Sequence, residues 1–493
     1  MSRKKPLWQD SSWNFSSIQR VYEECEKIAI KELKLNCYPN QLEIISSEQM
    51  LDAYASIGMP IYYQHWSFGK HFIQEQKNYA SGRSGLAYEL VINSNPTINY
   101  LMEDNTMTTQ ALVIAHAAFG HNHFFKNNYL FKQWTDAGSI VDYLIFAKNY
   151  IAEQENKHGR TAVETWLDSC HALSDYGVNR YKRPGKISLS EEKQRQKERT
   201  EYLQSQVSEL YRILPTKEEK ESTEKIFPEQ PEENLLYFFE KYSPEIEIWQ
   251  REILRIVRKI AQYFYPQMGS KIMNEGFASL THYEIMNRLH EKGLTTNGSH
   301  LEFLALHTNV LYQPSFSSKH YNGINPYAFG FAILRDIQRM CREPTVEDKK
   351  WFPHIIGACD RELILDAVEN YRDESFIRQW LSPKVMRDWR LFSIYDERTN
   401  EEEYTVSAIH NDAGYQQIRE KLADQYLRAA SVPHIEVTEV SKKTRTLNLR
   451  YTSHRGRKLG NIEKLMPHIF RLWGEYPVIL KDQDGSLLSF KQA

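Results

Sequence analysis

Cysteine is scarce and scattered. There are five in 493 residues (Cys25, Cys37, Cys170, Cys341 and Cys359), with no Cys-x-x-Cys pair. That excludes a disulfide framework or a thiolate zinc knuckle and predicts a reducing, cytoplasmic setting. A surplus of positive charge is also missing, with 62 Lys and Arg against 64 Asp and Glu. No global field draws nucleic acid or anionic lipid, so neither is an expected partner. No apolar run approaches the roughly 18 residues of a membrane span. Behind the basic start Met1-Ser-Arg-Lys-Lys-Pro6, the residues Trp8, Gln9 and Asp10 interrupt any apolar segment, so no secretory signal is predicted. No Walker loop, Gly-x-Ser-x-Gly elbow or dinucleotide fingerprint occurs.

Aromatic side chains are plentiful: 30 Tyr, 22 Phe and 10 Trp. The chain is 41% hydrophobic and 26% charged, enough for a large core, and its length predicts two or three domains. Helical spacing covers about Trp13 to Leu35. The run Leu86 to Ile92, ended by Asn93-Ser-Asn-Pro96, reads as a buried strand. Thr108 or Thr109 is the expected cap of a helix that ends at Gly120. Helix formers dominate 136–179 and resume from Asn234 to about Arg390. Between them, 185–231 holds two nearly all-charged runs, 190–199 and 217–221, and reads as a peripheral insertion. After Trp389 the texture alternates. Strands are expected at 390–395, 404–409, 434–440, 445–451 and 477–480, with helices at 412–429 and 461–473. The fold class is therefore α+β: a mainly helical body over 1–385, then a small α+β domain over 386–493, its sheet mainly antiparallel.

Three histidines fall within eight residues in Val113-Ile-Ala-His116-Ala-Ala-Phe-Gly-His121-Asn-His123. Histidine is the commonest metal ligand. In an unbroken helix His116 and His123 share a face but sit about 10.5 Å apart along the axis, so one ion needs a break, and Gly120 is the expected one. The alternative is three separately hydrogen-bonded histidines at a core edge. A second stretch, Asn274-Glu275-Gly-Phe-Ala-Ser279-Leu-Thr-His282, puts Glu275 and His282 on one helical face with Ser279 between. Together the stretches offer His116, His121 and Glu275 to one zinc or other divalent ion, with His123 and His282 as alternate ligands or supports. His65 and His71 are further candidates for the same pocket. Asp168 and His171, three apart, suit either a carboxylate-bridged site or a plain intrahelical bond. Lys126, Asn127 and Asn128 suit either a phosphate or a turn cap.

The strings His65-Trp-Ser-Phe-Gly-Lys70, Gly85-Leu-Ala-Tyr-Glu-Leu-Val-Ile-Asn-Ser-Asn-Pro96, Ala115 to Asn128, Asn274-Glu-Gly-Phe-Ala-Ser279 and Asn325-Pro-Tyr-Ala-Phe-Gly-Phe331 resemble the SpoVR family, as does the block Leu391 to Trp473. The resemblance implies a role in spore cortex formation or in stress and stationary-phase physiology. It also implies partners, a PrkA-type serine kinase and a von Willebrand-type-domain protein. Asn274-Glu275-Gly-Phe-Ala278 is also similar to the third-ligand motif of gluzincin aminopeptidases, which implies zincin-like elements, and Val113 to His121 partly resembles their zinc helix. Two departures stand out. Ala117 follows His116 where zincins place the catalytic Glu, and the second histidine comes five residues on rather than four. Glu89, Glu103 and Glu284 are the candidate replacement bases. Two functions compete: a diverged zincin-like hydrolase of peptide or cell-wall material, and a non-catalytic scaffold in the kinase-linked pathway.

Overall fold

Apolar residues recurring every three to four positions give long amphipathic helices, and two small sheets close the gaps between them. The computed structural model describes residues 5–55, 63, 65, 89–180, 227–228, 230–315, 318–391, 411–427, 434–452 and 462–491. The expected insertion at 185–231 and the strands at 390–395 and 404–409 lie almost wholly outside these residues.

Helix α1 (Phe15–Glu26) starts at a capping box between Asn14 and Ser17 and runs on into a π-helical turn, Lys27–Glu32. Strands β1 (Asn40–Ile45), β2 (Glu89–Ile92) and β3 (Thr97–Met102) form a sheet in the order β1-β3-β2, with β1 parallel and β2 antiparallel to β3. Of these, only β2 is anticipated in the sequence. Next comes one continuous helical rod: α2 (Met107–Val113), a π-helical segment Ile114–His121, and α3 (Asn122–Asn127). Its cap is Thr106, whose hydroxyl accepts from Thr109 N at 3.1 Å, rather than Thr108 or Thr109. The rod passes through Gly120 without ending.

The body continues with α4 (Ile140–His158), α5 (Arg160–Ala172), α6 (Leu235–Tyr242), α7 (Ile248–Phe264), α8 (Lys271–Glu291), α9 (Asn297–Val310), α10 (Pro326–Arg342) and α11 (Asp373–Trp380). Beyond it lie α12 (Asp412–Gln425), β4 (His434–Val440), β5 (Leu447–Thr452), α13 (Ile462–Leu472), β6 (Val478–Lys481) and β7 (Leu487–Lys491). This second sheet runs β4-β5-β6-β7 and is antiparallel except between β5 and β6.

Two hydrophobic cores organise the molecule. One joins α1, the rod, α8, α10 and α11. Although α12 falls beyond residue 386, its Tyr415, Ile418 and Leu422 belong to this first core. The other core joins α4 to α7 with the second sheet and α13, so Ile253 and Phe238 share an interior with Val437 and Ile469. No described helix is long and apolar enough to cross a membrane.

Candidate metal centre

Two helices and a strand edge meet where the first core approaches the first sheet. The rod brings His116 and His121, α8 brings Glu275, and the first residue of β2 brings Glu89. A π-helix closes i→i+5 hydrogen bonds, so residues five apart stack on one face. The local winding therefore explains the five-residue spacing: His116 and His121 project together, and their rings lie 4.7 Å apart. The same extra residue rotates the remainder of the rod. His123 turns away, and its Nδ1 accepts from Asn36 N at 2.8 Å.

Glycine lets the helices close on this point. A Cβ on Gly120 would lie 2.6 Å from Ala278 Cα on α8. On the far side of α8, a Cβ on Gly276 would lie 2.5 Å from Gly330 Cα on α10. Backbone thus packs on backbone beside Glu275, and any side chain there would push the carboxylate away. The start of α8 is fixed as well, since Ile272 N and Met273 N both donate to Asp373 at 3.0 and 2.9 Å.

The donor atoms are closely set. His116 Nε2 lies 3.1 Å from Glu89 Oε1 and 3.9 Å from Glu275 Oε2. His121 Nε2 lies 3.8 and 3.4 Å from the same two oxygens. The edges of a tetrahedron with bonds of about 2.0–2.1 Å measure about 3.3–3.4 Å. Each histidine is also held from behind. His121 Nδ1 meets Asn274 Oδ1 at 2.9 Å, and His116 Nδ1 meets His282 Nδ1 at 2.8 Å. Metal-ligating histidines have a second contact of the kind His121 makes with the Asn274 oxygen.

The charges in the cluster act on one another. Burial opposes charge on His121, but the Glu275 and Glu89 carboxylates overcome it and raise its pKa to about 9. Burial would likewise raise Glu275, yet His121 and His116 hold it below its ordinary value. Nε2 of His116 and Oε2 of Glu275 are buried without a well-formed hydrogen bond, a cost normally avoided. A divalent ion between them would satisfy both.

Of the sequence candidates, the structure thus brings His116, His121 and Glu275 together, with His282 behind His116. His123 is elsewhere. Among the candidate bases, Glu89 is at the centre. Glu103 is exposed, and Glu284 is taken up by Arg361, Gln338 and Arg288. His65 instead meets Asp168 at 3.1 Å and stacks on His171 at 4.7 Å. On the same helix, His171 bonds the Tyr63 hydroxyl. His71 lies outside the described residues. Asn128 is a cap, accepting from Leu130 N at 3.0 Å, and Lys126 donates to Cys37 O at 2.7 Å.

A family model described as SpoVR like protein matches residues 12–431, and one described as SpoVR-like C-terminal domain matches residues 433–485. An Escherichia coli (strain K12) protein named Uncharacterized protein YcgB is 54% identical over 487 residues, covering 96% of this chain and 94% of its own. No solved structure matches.

Proposed function

The chain belongs to the SpoVR family, and for this member we propose a divalent metal centre of zincin-like, hydrolytic type held by His116, His121 and Glu275. One observation carries the reading: buried nitrogen and carboxylate donors from separate elements come within 3.4–3.9 Å of one another, and among the described residues no lysine or arginine forms an ion pair with Glu275. Two imidazoles with carboxylate suit zinc or another first-row divalent ion. Such an ion supplies Lewis acidity, polarising a carbonyl or acidifying a water. The chain's own part is to orient. Asn274 and His282 aim the two imidazoles, and the backbone contact at Gly276 fixes Glu275. Glu89, entering from the strand edge, is the proton acceptor that replaces the glutamate missing at Ala117.

Ala117 also favours a second reading, in which Glu89 is a fourth ligand and the closed centre is structural. The protein would then be a scaffold for a PrkA-type kinase and a von Willebrand-type-domain partner. Under either reading the setting is spore cortex or stress physiology in the cytoplasm.

Metal analysis of the full-length protein tests this. One equivalent is expected in wild type, and it is lost in His116→Ala and Glu275→Gln with helicity unchanged. Metal-free wild type that keeps its cellular role would overturn it. Glu89→Gln separates the readings: metal is retained if Glu89 is the proton acceptor and lost if it is a ligand.

A further inference from the structure

Behind His116, three buried imidazoles form an unbroken chain. His116 Nδ1 lies 2.8 Å from His282 Nδ1, and His282 Nε2 lies 2.7 Å from His307 Nδ1. The rings come from the rod, α8 and α9. His282 is wholly buried and His307 is 7% exposed. Phe303 packs against both, and Phe331 lies edge-on to His307. Among the described residues, neither His282 nor His307 bonds a carboxylate, and burial pushes both below the ordinary histidine pKa. The usual second contact of a metal-binding histidine is a carboxylate, carbonyl or water. Here it is a neutral imidazole, itself backed by another.

A neutral imidazole carries one N–H and one lone pair. His282 uses both nitrogens on its neighbours, so one must donate and the other accept. Only two arrangements of the chain are then self-consistent, and they run in opposite directions.

We propose that His282 and His307 are positioning residues that set the tautomer of His116, and that filling the metal centre reverses the whole chain. This rests on the metal reading above. Without metal, His116 Nε2–H faces Glu89 Oε1 at 3.1 Å. His282 Nδ1–H then donates to His116, and His307 Nδ1–H donates to His282. With metal, the lone pair of His116 Nε2 must face the ion, so that proton leaves through Glu89 to water. The His282 Nδ1 proton passes to His116 Nδ1. The His307 Nδ1 proton passes to His282 Nε2, and His307 takes a proton on Nε2 from water. One proton leaves at one end and one enters at the other, so the net charge of the three rings is unchanged. His307, two rings behind the ligand, thereby senses occupancy of the centre.

The test uses the full-length protein, with zinc titrated against a competing chelator. His282→Leu and His307→Leu should each weaken zinc binding about 10- to 100-fold, the usual range for outer contacts of a metal site. His282→Gln, whose amide oxygen accepts the same His116 proton, should recover most of the loss. In protein labelled with 15N-histidine, the His307 signals, identified by their absence in His307→Leu, should change from the Nδ1–H to the Nε2–H pattern when zinc is added. A merely structural role would leave that pattern unmoved. Folded leucine variants that hold zinc as tightly as wild type, or a His307 pattern indifferent to zinc, would overturn the relay and leave the metal centre standing. If both leucine variants misfold, the wild-type nitrogen pattern decides alone. Wild type that binds no zinc, cobalt or manganese removes the metal reading and the relay with it.

Discussion

Replacing Gly276 with alanine adds one methyl group, and the structure says where it goes. Its carbon would stand 2.5 Å from Gly330 Cα and 2.8 Å from Phe331 N, both backbone atoms that no rotamer change can move aside. Ordinary carbon contacts need about 3.5 Å or more, so α8 and α10 must part by about 1 Å. Overpacking of this kind costs about 1–3 kcal/mol, and alanine returns about 0.8–1 kcal/mol of helix propensity. The net loss of stability is therefore about 0–2 kcal/mol. The effect at the centre is larger, because binding geometry tolerates only about 0.5 Å of error and Glu275 is the adjacent residue. Its oxygen stands 3.4 Å from His121 Nε2 and cannot keep that spacing. Zinc affinity should fall at least tenfold, while urea unfolding moves only slightly. A Gly276→Ala protein with wild-type metal affinity and wild-type stability would refute the claim that this crossing sets the site.

Acid should destabilise the fold through its buried neutral histidines. Burial, first of all, holds His123 down to about 4, while in the unfolded chain it titrates near 6.5. A depressed folded pKa gives stability that is present above the unfolded value and lost as pH falls towards the folded one, here between about 6.5 and 4, at up to about 1.4 kcal/mol per pH unit. Urea midpoints from pH 7 to 4.5 should fall more steeply for wild type than for His123→Gln, and equal slopes would contradict this. Separately, residues 386–493 expressed alone should be molten rather than folded. Their sheet shares its core with α4 to α7, and Tyr415, Ile418 and Leu422 pack on the body. A sharp cooperative melt of that fragment by circular dichroism would show the shared core to be dispensable.

The local signals were legible where one period dominates. Alternation over His434 to Val440 gave a strand with those limits, and the helices at 412–425 and 462–472 fall within the expected spans. Strands β1 and β3 were not. Asn40-Gln-Leu-Glu-Ile-Ile45 and Thr97-Ile-Asn-Tyr-Leu-Met102 are short and only partly alternating, and they pair with partners far along the chain. Short apolar runs are ambiguous for that reason. Strand β7 escaped because both its faces are largely exposed and its Leu487, Leu488 and Phe490 do not alternate with polar residues as a buried strand would.

The sequence alone determined which side chains are available: His116, His121 and Glu275 were legible from their types, spacing and motif. It determined the absence of a glutamate after His116, and it named Glu89 without being able to choose it. The tertiary structure decided the rest. The rod winds as a π-helix over Ile114–His121, which put His116 and His121 on one face and sent His123 to Asn36, where an ideal helix would have aligned His116 with His123. Only the sheet, by pairing Glu89 opposite Leu101 of β3, brought that carboxylate to the histidines. The His116–His282–His307 chain likewise spans 191 positions of sequence, from 116 to 307. Spacing fixes neighbours within one helix, where rise and turn are constant. Contacts between elements depend on which backbones can touch, and that was settled at Gly120, Gly276 and Gly330 by the lack of a single carbon atom.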